Sequence, residues 1–197
     1  MTCRNYRWLP LLLLVHGQSA FPQPAHAISG PGACFSVGEV ATRSLSGRRA
    51  KNPPVGRNAQ RSHVDQVARK LGAQLAAEDA ERIVDQVFYG PEISGQALGL
   101  DMAAECLKQN AFSVARGRTD VCFEVARYAR EFALSKSFVP LDRRLQGIDK
   151  VVTDPLERKL TRELAHKVYE SNVPFEASHG LAVEFYAECL APSGTKP

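Results

Sequence analysis

Few side chains in this sequence are suited to chemistry. Past residue 27 the histidines are His63, His166 and His179, and the cysteines are Cys34, Cys106, Cys122 and Cys189. His166 and His179 stand 13 residues apart across a stretch that breaks a helical pattern. That is not the i, i+4 spacing that presents two imidazoles to one zinc, so both read as surface residues. No cysteines form a C-x-x-C pair, which favours disulfides over metal ligation. Nucleophilic catalysis needs a hydroxyl or thiol activated by a base that a third group holds. No Gly-x-Ser-x-Gly turn occurs, and Ser178-His179 falls at a helix start, where serine is an ordinary cap. Glu184 and Glu188 lie one helical turn apart near His179, an arrangement that two carboxylates acting on sugar polymers would need. Glu105 recurs beside Cys106 as Glu188 does beside Cys189, which favours a shared structural position. There is no phosphate-binding loop, dinucleotide fingerprint or calcium-loop spacing. The expectation is therefore no catalytic residue, no metal and no cofactor.

The first residues carry an address. Arg4 and Arg7 precede the apolar run Trp8 to Val15, and a polar stretch then ends in Ala25-His26-Ala27, an A-x-A cleavage pattern. Residues 1–27 thus read as a cleaved signal peptide. The apolar run is far shorter than the ~20 helical residues needed to span a bilayer. Cys3 precedes that run and leaves with it. Four cysteines remain in a chain bound for an oxidising compartment, periplasmic or secreted, where thiols pair.

The sequence repeats itself. Cys34-Phe35-Ser36-Val37 returns as Cys122-Phe123-Glu124-Val125, and Ala104-Glu105-Cys106-Leu107 returns as Ala187-Glu188-Cys189-Leu190. Between these ends, Val87 to Pro91 corresponds to Val168 to Pro174. Two tandem units follow, 28–116 and 117–197. A unit that once stood alone would close its own loop, which selects Cys34–Cys106 and Cys122–Cys189 from the three possible pairings. In the chain-entropy picture each such loop contributes ~4 kcal/mol, a useful staple for a core this small.

Helical periods supply the elements that position these residues. Asp154, Pro155 and Glu157 form a helix start, and Leu156, Leu160, Leu164 and Val168 make one apolar face. Val121, Val125, Tyr128 and Phe132 predict a helix from about residue 120 to 137, capped by Thr119 or Asp120. Short helices are expected around Val64 to Leu71 and Leu145 to Val152, and others through Ile83 to Val87, Leu98 to Asn110 and Leu181 to Cys189. No strand alternation is sustained. The fold class is all-α, a tandem duplication of a roughly four-helix unit, each closed by a disulfide and packed as one bilobed body. Arg116-Gly117-Arg118 joins the units, too short a link to be a tether.

Overall composition names no partner. With 197 residues, 44% hydrophobic, 23% charged and a formal charge of +4, the chain is ordinary globular protein. Charge distribution says more. From Arg43 to Lys70 eight basic residues face one acid, Asp65, whereas residues 71–106 hold seven acids and Arg82. An irregular, basic loop is expected at 46–60, and Arg48, Arg49, Lys51 and Arg57 are the candidate contacts to an acidic partner. Nucleic acid is a poor partner, because the loop lacks the aromatic platforms on which single strands stack. The leading expectation is an exported, non-catalytic helical binding protein whose partner is another envelope or secreted protein. The alternatives are a cell-wall-acting hydrolase using carboxylates near His179, and a self-associating structural protein of the envelope.

Overall fold

Local capping chemistry sets where the helices begin and end. Pro31 opens the first at a position where its missing amide hydrogen costs nothing, and Pro155 does the same later in the chain. Asp154 Oδ1 accepts from the Glu157 amide at 2.8 Å and Ser94 Oγ from the Ala97 amide at 3.1 Å, satisfying donors that a helix start leaves open. Gly72 ends another helix in the left-handed conformation, φ 72°, which favours glycine.

The computed structural model describes residues 30–191, so the expected signal segment, with Arg4, Arg7, Cys3 and Ala25-His26-Ala27, lies outside the described residues. Among the described residues there are eight α-helices and no strand: α1 (Pro31–Arg48), α2 (Arg57–Leu71), α3 (Ala77–Val84), α4 (Gly95–Gln109), α5 (Arg116–Ser135), α6 (Leu141–Val151), α7 (Pro155–Glu170) and α8 (Ser178–Leu190). α3 runs on into a π-helical turn, Asp85–Tyr89, and a single 3-10 turn, Phe175–Ala177, leads into α8. Three boundaries differ from the sequence expectation. α1 reaches Arg48 and α2 starts at Arg57, which leaves only residues 49–56 irregular where a loop of 46–60 was expected. α5 starts at Arg116, so Arg116-Gly117-Arg118 is its first turn and not a link between bodies. Thr119 and Asp120 therefore lie inside α5; Asp120 pairs with Arg116 one turn back, at 2.7 Å, in place of capping.

Four helices form the centre. α1 packs on α4, α4 on α5, α5 on α8, and α8 on α1, which closes a ring. α2 and α3 lie against α1, and α7 lies against α5 with α6 beyond it. Cys34 of α1 is bonded to Cys106 of α4, and Cys122 of α5 to Cys189 of α8, so each bridge ties the first and last helices of a half. α1 is buried nearly all round, as expected of a helix touched on every side. Its close approach to α4 needs small residues. A β-carbon on Gly38 would run into Gly99 O of α4 and the Phe123 ring of α5, and Thr42 Oγ1 donates across to Gly95 O at 2.9 Å. The interior is continuous from one half to the other: the Phe35 ring of α1 lies 5.3 Å from Phe123 of α5 and 5.6 Å from Tyr186 of α8.

Candidate functional site

The chemistry-bearing residues scatter. His179 faces inward from the first turn of α8 and is only 6% exposed, which corrects its reading as a surface residue. Its Nε2 lies 2.9 Å from Ser36 Oγ of α1, and its ring stacks at an angle on Phe35. α8 crosses α1 here, and a histidine at that crossing must either pair or bear the full cost of desolvation. Burial holds its pKa at about 4, below the ordinary 6.5; Glu39 opposes the shift, while Arg43 and Arg130 add to it. The pair has the atoms of a Ser/His dyad, but Ser36 is fully buried and the space beside the His179 ring has room for about one water molecule, ~10 Å³. Ser178 does not cap α8 either: Ala177 is the N-cap, and the Ser178 hydroxyl donates to Phe175 O at 2.6 Å.

Glu184 and Glu188 project from the other side of α8. Both are well exposed and both face Lys167 of α7, at 3.9 and 2.7 Å. His179 and these two carboxylates are thus not brought together. His166 is exposed and sits 3.4 Å from Glu170. Among the described residues no three His, Cys, Asp or Glu side chains gather closely enough to hold a metal ion.

One buried charge cluster does join the halves. The Glu39 carboxylate, nearly fully buried, accepts from Arg43 Nε at 2.5 Å and from Arg127 Nε of α5 at 2.9 Å. A buried carboxylate persists only when paired in this way. Glu124, half-buried on α5 between Arg127 and Gln96, is pushed above the usual carboxylate range by burial, which Arg127 and Gln96 counter in part.

Most of the basic residues singled out between α1 and α2 are engaged within the molecule. Arg48 donates to Val87 O at 3.1 Å and Gly90 O at 2.9 Å, holding the open end of the π-turn. Arg49 donates to Ile93 O at 3.0 Å. Arg57 bridges Glu81 and Asp85, each at 2.6 Å, and Arg61 joins Asp65 and Glu81. These hydrogen bonds pull the Glu81 and Asp85 carboxyls below their ordinary range. Part of the contrast between a basic segment and an acidic one thus resolves into ion pairs of α2 with α3 and its π-turn. Lys51 alone of the four candidates extends into solvent without such a contact among the described residues.

What the sequence reading missed lies in the second half. Six large apolar side chains are left exposed among the described residues, and four of them, Leu134, Phe138, Val151 and Leu156, fall between residues 134 and 156. Leu134, in the last turn of α5, is 58% exposed, and Phe138, in the turn that follows, 80%. Beside them a groove of about 340 Å³ runs between α5, α6 and α7, with Tyr128, Phe132, Val139, Ile148 and Val152 on its walls and Glu131, Arg143 and Arg144 along it. The run Lys136 to Val139, apolar at two positions and bounded by Pro140, was the available signal. It carries no period, so pattern reading passed over it.

The fold and these surfaces define a disulfide-closed, all-helical protein whose exposed apolar residues concentrate on one half. Known protein families, curated protein sequences and solved structures yield no match to this chain. No helix among the described residues is long and apolar enough to cross a membrane.

Proposed function

We propose that this chain is an exported, non-catalytic interaction protein of the cell envelope, periplasmic or secreted, that docks another envelope or secreted protein at the Leu134–Phe138 corner. The exposure of Phe138 carries the reading. A side chain of this size standing in water at a helix end forgoes ~2 kcal/mol of burial, and clustered exposures of this kind mark interaction surfaces. Two disulfides suit an oxidising compartment, in line with the signal-like first 27 residues. The corner is a better contact than the basic segment because Arg48, Arg49 and Arg57 are tied to α3, its π-turn and the segment before α4.

The same proposal includes descent from one copied unit. Supporting it, Lys136 stands 88 residues after Arg48, the offset of Cys122 from Cys34, and plays the same part in its own half, donating to Ser171 O and Val173 O at the end of α7. Likewise Gln96 and His179, separated by 83 residues like Cys106 and Cys189, each face the residue two places after the first cysteine of the opposite half, Glu124 and Ser36.

A photo-crosslinking amino acid at position 138 of the full chain, in the cells that produce it, tests the reading. One discrete adduct with an envelope protein is expected, and Leu134→Glu should abolish it. An adduct of twice the chain's own mass would replace the partner by a second copy, and no adduct at all would overturn the proposal.

A further inference from the structure

We propose that the groove between α5 and α6 is a binding site for a small amphipathic carboxylate, with its apolar body on Phe132, Val139 and Ile148 and its carboxylate at Arg143. The inference rests on the reading of the chain as a binding protein but concerns a surface separate from the Leu134–Phe138 corner. Tyr128, Glu131, Phe132 and Ser135 face α6 at helical spacing, whereas Leu134 points off that face.

Size comes first. At about 340 Å³ the groove lies within the ~300–1,000 Å³ range of small-molecule sites. It is too small for a helix and large enough for one short aliphatic or aromatic body.

Charge narrows the class. The two arginines along the groove outweigh its single carboxylate, Glu131, which is already satisfied by Arg144 at 3.4 Å. Arg143 is exposed and has no ion-pair or hydrogen-bond partner among the described residues. An unpaired guanidinium on a groove with apolar walls matches a monoanion, since its fork suits a carboxylate. Glu131 would repel the second charge of a phosphate monoester, and an organic cation would meet Arg143.

The groove is also built, not merely left over. Arg144 lies over the Phe132 ring at 5.0 Å and bonds Ser135, so a stacked pair props α6 away from α5. Tyr169 OH donates to Val139 O at 2.7 Å and fixes the wall where α6 begins. Gly147 faces open space: a β-carbon added there meets nothing within 4 Å.

Titration calorimetry of the full chain tests this with decanoate and decyltrimethylammonium, each below its micelle-forming concentration. Decanoate should saturate a single site and the cationic probe should bind about tenfold more weakly or worse. Gly147→Leu, which fills the groove and favours the helix, should weaken decanoate about tenfold or more with no loss of thermal stability. Arg143→Glu should erase the preference for the anion. Equal binding of the anionic and cationic probes, or decanoate binding unchanged by Gly147→Leu, would overturn the site. So would failure of decanoate to bind while position 138 still crosslinks to an envelope protein, and in that case the protein-binding reading stands.

Discussion

α1 with α2, and α5 with α6, are two pairs of consecutive helices that pack differently. In the first pair α2 lies directly on α1, burying Val64, Ala68 and Leu71; in the second, α6 buries only Ile148. Two positions account for the difference. Ser44 of α1 is small and buried, and Gly47 lets the His63 ring lie against the α1 backbone, where His63 Nε2 sits 3.2 Å from Ser44 O. At the same offset along α5 stand Phe132 and Ser135, and both engage Arg144. A bulky ring at the contact position holds the second helix off, and a groove results. Small residues at the α1–α2 contact thus give a filled flank, and the ring at the α5–α6 contact an open one.

The disulfides probe what the halves share. Their loops span 72 and 67 residues, so replacing either pair by serine should cost a similar ~4 kcal/mol in denaturant unfolding. A large inequality would show that one half holds together without its bridge.

Acid probes the seam. The unfolded chain takes up a proton on His179 near pH 6.5, whereas the native chain does so only near 4. Between those values the unfolded state binds more protons, so the contribution is complete above pH 6.5 and lost as pH falls to 4, about 3 kcal/mol in all. His179→Gln should flatten the stability profile across that window while keeping a polar partner for Ser36. Glu39→Gln, which leaves Arg43 and Arg127 without their buried carboxylate, should cost about 3 kcal/mol at neutral pH, the lower part of the range because both arginines are partly exposed.

A matched pair of glycines sharpens the contrast between the flanks. Gly47→Ala drives a methyl group into the His63 ring and should destabilise by about 1–3 kcal/mol. Gly147→Ala meets open space in a helix interior and should stabilise by about 0.5–1 kcal/mol, read as a rise in melting temperature. Equal signs for the two would remove the packing account of why α6 stands apart.

Much of the fold was legible because its signals are local. Asp154-Pro155 marks a helix start in any context, and leucines four apart mark the face that will be buried. The repeated cysteine-centred segments pointed to the pairing that the structure has, on the expectation that each unit closes its own loop. The candidate site was far less legible. Arg48, Arg49 and Arg57 looked like a free basic surface because each lies 24 or more residues in sequence from the carbonyls and carboxylates it meets. The groove depends on a helix held at a distance, which no pattern within one helix encodes.

By itself the sequence determined which segments become helices and which cysteines bond, because each depends on spacing along the chain. Tertiary structure alone decided that His179 is buried on Ser36, 143 residues away, that the arginines turn inward, and that α6 stands off where α2 closes down. Those outcomes turn on which side chains meet when helices cross, and on whether a serine or a phenylalanine occupies the crossing point.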